Sequence, residues 1–79
     1  MSNIPDYLHT YSAADVGKRI AKLREKSGLS MYQLQMNSDV NRTIIKQTED
    51  GTNKVRIDTL LKILNGLGIS PAEFFSAFK

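Results

Sequence analysis

The chain has 79 residues, 41% of them hydrophobic and none of them cysteine, with 11 Lys and Arg against 8 Asp and Glu for a net charge of +3. A chain this short holds one small core, and without cysteine neither disulfides nor thiolate metal sites can staple it, so packed helices and a second copy of the chain are the remaining sources of stability. No apolar run is long enough to cross a bilayer and the amino terminus lacks the basic-then-hydrophobic pattern of a secretory signal, so a cytoplasmic protein is expected. The charge excess suits a polyanionic partner only weakly.

Residues 1–11 carry Ile4, Tyr7, Leu8 and Tyr11 at helical spacing, with Pro5 near a helix start, and read as an amino-terminal extension, a short helix or disordered. No Lys or Arg precedes Lys18, which argues against an arm reaching into a DNA groove. His9 has no second metal ligand near it in sequence and reads as a surface residue. The main domain is expected over residues 12–79. Its first helix is announced by Ser12 and Asp15, buries a stripe of Val16, Ile20 and Leu23, and stops at Gly28. Lys18, Arg19, Lys22 and Lys26 lie off that stripe, on a solvated face.

Ser30 to Gly51 reads as two short helices joined by a tight turn. Ser30 with Gln33 forms a capping box for the first helix, Asn41 caps the second, and Gly51 suits a left-handed position beyond its end. On the second of these helices, Arg42, Thr43, Lys46 and Gln47 share one side, and Ile44, Ile45 and Thr48 the other. The first side has donors and positive charge but almost no apolar surface, so it belongs against water or a polar, negative partner.

A polar connection with Lys54 and Arg56 leads to a core helix over 57–67. There Ile57, Leu60, Leu61, Leu64 and Leu67 form a wide apolar face that Ile63 broadens, Asp58 opposes the helix dipole, and Gly68 terminates. Ser70, Pro71 and Glu73 then open a last helix carrying Phe74, Phe75 and Phe78. A domain of this size can bury one or two of these rings, and the remainder marks an interface. Nothing in the chain points to an enzyme. There is no nucleophile with a base beside it, no metal-ligand spacing, no cofactor motif and no phosphate-cradling glycine loop, since the five glycines read as helix ends.

Arg19, Ile20, Leu23 and Arg24, then Gly28-Leu29-Ser30, Leu34, Val40, Arg42, Ile45, Glu49 and Gly51, and finally Leu60-Leu61-Lys62-Ile63 and Leu67-Gly68-Ile69-Ser70 together form a pattern. Over about Val16 to Phe75 the chain resembles the phage-repressor and Cro-like helix-turn-helix domains, the XRE family. The resemblance implies an all-α, compact five-helix, lambda-repressor-like DNA-binding domain whose helix-turn-helix is helices 2 and 3. The implied function is a sequence-specific, double-stranded DNA-binding regulator, acting as a repressor and as a homodimer on a two-fold operator.

In that pose Arg42, Thr43, Lys46 and Gln47 meet base edges. Tyr32, Gln33, Asn53, Lys54 and Arg56, with the N–H groups of Met31 to Gln33, face phosphates. Arg24 and Glu49 occupy positions that pair in many relatives, the alternative being a surface contact of Glu49 with Lys46. Phe75 and Phe78 are the expected dimer contacts. Three positions depart from the family: Gln35 replaces a small residue at a close helix crossing, Asp39 a turn glycine, and Thr48 an aliphatic residue. A second implied class is an antitoxin with a toxin partner, since Tyr11-Ser12 and Leu61-Lys62-Ile63-Leu64 look somewhat like HipB-type antitoxins.

Overall fold

Among the described residues, the capping signals read from the sequence fall where helices begin or end. A computed structural model describes residues 10–52 and 54–78. Among them are five α-helices: α1 Ala13–Lys26, α2 Met31–Ser38, α3 Arg42–Asp50, α4 Ile57–Leu67 and α5 Pro71–Phe75. Ser12 opens α1, its main-chain N–H donating to the Asp15 carboxylate at 2.8 Å. Ser30 and Gln33 form the reciprocal box at α2, as Ser70 and Glu73 do at α5. Asn41 Oδ1 accepts the Thr43 N–H at 2.7 Å at the start of α3. The expected amino-terminal helix and His9 lie outside the described residues, as does Asn53.

The core is Ile20, Leu34, Val40, Ile45, Leu60, Ile63, Leu64 and Phe74, all buried, with Val16, Leu23, Val55, Leu67, Ile69 and Phe78 packed around it. Helix α4 buries a narrower stripe than its sequence suggests. Leu60, Ile63 and Leu64 are inside, while Ile57 is 68% and Leu61 41% exposed. Helix α4 packs mainly against α2 and α5, so only one side of its apolar surface finds cover. Of the three phenylalanines, Phe74 is fully buried, Phe75 is 42% exposed, and Phe78 is half-buried with its ring 5.4 Å from that of Tyr11.

Two glycines do not sit at helix ends. Gly17 lies inside α1, where a Cβ would collide with the Thr48 carbonyl oxygen and come within 2.7 Å of that of Glu49. Gly66 lies inside α4, where a Cβ would stand 2.7 Å from the Ser38 Cβ. Each therefore marks a crossing of two backbones, α1 on α3 and α2 on α4, and the missing side chain permits the approach. At the α4 start, partial desolvation pushes the Asp58 carboxyl up, but the Thr59 N–H and the Arg56 charge outweigh it and hold the group below its usual range. A depressed carboxyl supports the fold above its unfolded pKa and loses that support as pH falls through the folded one.

The three departures from the family pattern each have a structural resolution. Asp39 takes the left-handed conformation, φ 58° and ψ 32°, which a short polar side chain tolerates. Thr48, 2% exposed, satisfies its hydroxyl by donating to the Ile44 carbonyl at 2.7 Å, so an aliphatic position accepts it without an orphan polar group. Gln35 is half-buried, and its Oε1 accepts the Arg42 N–H at 2.8 Å.

Gly17→Ala should lower stability by roughly 1–3 kcal/mol or more, because the obstacle is main chain that cannot rotate aside. Urea denaturation should show the midpoint falling with the slope unchanged.

Candidate nucleic-acid interface

Helix α3 is held on one side and open on the other. Ile45 and Thr48 are buried and Glu49 is half-buried against α1, while Arg42, Thr43, Lys46 and Asp50 are exposed and Gln47 is half-buried. Arg42, Thr43, Lys46 and Gln47 line one shallow cleft together with Met31 and Asp50. The four residues expected at base edges are therefore brought together, on a surface that no other described element covers. Ile44, assigned by its spacing to the apolar side, is instead 36% exposed.

The local charges are more balanced than the residue list implies. Lys46 Nζ lies 3.3 Å from Asp50 Oδ2, one turn on, with both side chains exposed. Arg56 Nε lies 3.2 Å from Asp58 Oδ1 on an open surface. Exposed pairs of this kind are worth about 0–1 kcal/mol and yield readily to a phosphate. The Lys46–Asp50 spacing was visible in the sequence as an i,i+4 pair. Tyr32 and Lys54 are exposed, and so is Gln33.

At the start of α2 fewer donors are free than the N–H groups of Met31 to Gln33 would provide. The Gln33 N–H is occupied by Ser30 Oγ at 3.0 Å, and its side-chain oxygen accepts the Ser30 N–H at 2.8 Å. That leaves the carboxamide NH2 of Gln33 and the first two helix N–H groups. Tyr32 turns toward α3, with the Arg42 guanidinium carbon 5.8 Å from its ring centroid.

Beneath the exposed surface, Arg24 and Glu49 form a two-pronged ion pair, Nε to Oε2 at 2.6 Å and Nη2 to Oε1 at 3.1 Å. The third prong, Nη1, donates to the Leu29 carbonyl at 2.9 Å, in the link between α1 and α2. With side chains only 13% and 6% exposed, the pair is shielded from salt, and its geometry matches the planar fork of the guanidinium. Glu49 thus pairs with Arg24 and not with Lys46. The Glu49 hydrogen bond raises the Arg24 pKa further, against the opposing pull of burial. A raised cation contributes fully below its unfolded pKa and loses that contribution only as pH rises through the folded one. On the arginine side the pair persists throughout the neutral range.

A family model described as helix-turn-helix matches residues 20–74. The chain is 39% identical over 61 residues to control protein C.MunI of Mycoplasma sp, a match covering 76% of this chain and 82% of that protein. It is 34% identical over 58 residues to control protein C.BamHI of Bacillus amyloliquefaciens, covering 72% of each. Among solved structures, the restriction-modification controller protein C.Esp1396I, crystallised as a tetramer in complex with its natural 35 base-pair operator, superposes with a TM-score of 0.82 at 27% identity. That superposition covers 89% of this chain and 92% of that one. Among the described residues no helix is long and apolar enough to cross a membrane.

Loss of one partner from the shielded pair leaves the other charge without compensation. Glu49→Ala should therefore cost on the order of 3–5 kcal/mol in thermal or denaturant unfolding. Asp50→Ala, which removes only the exposed partner of Lys46, should stay within about 1 kcal/mol of the parent.

Proposed function

From the premise that this chain belongs to the helix-turn-helix family, we propose that it is a sequence-specific, double-stranded DNA-binding transcriptional regulator that acts as a homodimer on a two-fold operator. The observation that carries this reading is the uncovered face of α3, where Arg42, Thr43, Lys46 and Gln47 converge beside the start of α2. Donor-rich side chains clustered at the amino end of a helix suit the major groove. Arg42 offers a fork to guanine O6 and N7, Gln47 matches adenine, and Thr43 takes a hydroxyl or methyl contact. Lys46 exchanges Asp50 for a phosphate or a base.

Gln33, Lys54, Arg56 and Asn53 are assigned to the flanking backbone, where contacts add affinity without selectivity. The control proteins and the operator-bound controller among the relatives favour a regulator over the antitoxin alternative, and no toxin partner is proposed. The protein is a binding module without catalysis or cofactor, and works in the cytoplasm, where its DNA lies. Its proposed mode of control is repression, by an occupied operator blocking polymerase.

One such head reads only a few base pairs, so selectivity calls for two heads on half-sites about 34 Å apart. We assign the dimer contact to the carboxy-terminal side of the molecule. Phe75 is exposed there, with Phe78 beneath it at 5.6 Å between ring centroids. Ile57 and Leu61, one turn apart on α4 and both exposed, are added to this assignment. Burial of such side chains against a twin surface is the ordinary driving force for association.

Selection of bound sites from random duplexes should return a two-fold sequence. Arg42→Ala should lose about 1–3 kcal/mol of preference at one position in each half-site, whereas Lys54→Ala should weaken all sites alike and lower the salt slope by about one. A protein whose association with duplexes is absent or insensitive to salt would refute the proposal. Phe75→Ala combined with Leu61→Ala should shift sedimentation toward monomer and shorten the footprint to one half-site.

A further inference from the structure

Arg42 is held at both of its ends by residues of α2. Its main-chain N–H donates to Gln35 Oε1 at 2.8 Å, and its guanidinium carbon lies over the Tyr32 ring at 5.8 Å from the centroid. As the first residue of α3, Arg42 carries an N–H that finds no carbonyl within its own helix, and Gln35 supplies one from across the turn. Tyr32 and Gln35 stand three residues apart and so share a side of α2. The long amide that replaces a small residue at this crossing therefore has a specific employment.

A cation over a ring is within reach of the ring's quadrupole at this distance. The attraction acts between the cation as a whole and the ring, and the five N–H donors lie along the edges of the guanidinium plane. Contact with Tyr32 thus restricts one of the side chains richest in rotamers before its fork meets a guanine. Ordering paid before the encounter is not charged again on binding.

We infer that Tyr32 and Gln35 are positioning residues for base readout, Tyr32 through its ring and Gln35 through its carboxamide oxygen, which together present the Arg42 fork. This rests on the DNA-binding reading given above. It gives Tyr32 a different task from a phosphate contact: a hydroxyl on the backbone strengthens every site equally, while a ring that orients Arg42 raises preference at a single base pair.

The test is competition binding on the selected operator and on duplexes carrying each single base-pair change, after Arg42→Ala has identified the pair that Arg42 reads. Tyr32→Phe keeps the ring and should reproduce the parent pattern. Tyr32→Leu should lose roughly 2- to 5-fold of discrimination at the Arg42 base pair and leave the other positions unchanged. Gln35→Ala should lose preference at the same pair, and adding Tyr32→Leu to Arg42→Ala should change the pattern no further. Tyr32 is 53% exposed, so its variants should fold, and thermal melting verifies this.

Equal weakening of all duplexes by Tyr32→Leu, a Tyr32→Phe variant as impaired as Tyr32→Leu, or loss at a different base pair would overturn the inference while leaving the DNA-binding reading intact. A parent protein that binds no duplex would overturn both.

Discussion

The contact on which the presentation of α3 depends is the fork of Arg24 onto Glu49 and the Leu29 carbonyl. One guanidinium gathers the end of α1, the link into α2 and the far end of α3, so three elements share a single charged node. Shielding makes the node strong, because its hydrogen bonds compete with little water, and it makes its loss costly for the same reason. Gly17 acts beside it by letting the α1 main chain lie directly against the last turn of α3. With that end of α3 anchored, the other end projects Arg42 and Thr43 outward, and a rigid mount is what positional accuracy in a groove requires.

The turn between α2 and α3 shows how departures from a family pattern are accommodated. A left-handed Asp39 and a self-satisfied Thr48 preserve the geometry with different side chains. Gln35 goes further by replacing an apolar crossing with a hydrogen bond to the first N–H of α3. A half-buried polar group is tolerated when its partner is fixed, and here the partner is the main chain of the helix being presented.

The electrostatics favour discrimination over indiscriminate grip. A net charge of +3 is modest, and Lys46 and Arg56 are each met locally by a carboxylate. A surface in which cations must exchange a weak internal partner for DNA gives limited non-specific affinity. Selectivity then falls to side chains held in fixed poses.

Helix boundaries, caps and the polar side of α3 were legible in the chain because they depend on neighbours within four residues: Ser30 with Gln33, Ser70 with Pro71 and Glu73, and Arg42 with Lys46. The expectation of an Arg24 and Glu49 contact came from likeness to a family, since residues 25 positions apart announce nothing by their spacing. Tertiary structure alone decided which apolar residues of α4 are covered, because burial depends on how many elements are available to surround a helix. It also decided that Gly17 and Gly66 are crossing points and not helix ends, and that Tyr32 and Gln35 face Arg42. These last facts arise from the angle between helices, a quantity set by the packing of the whole core and not written in any short stretch of the chain.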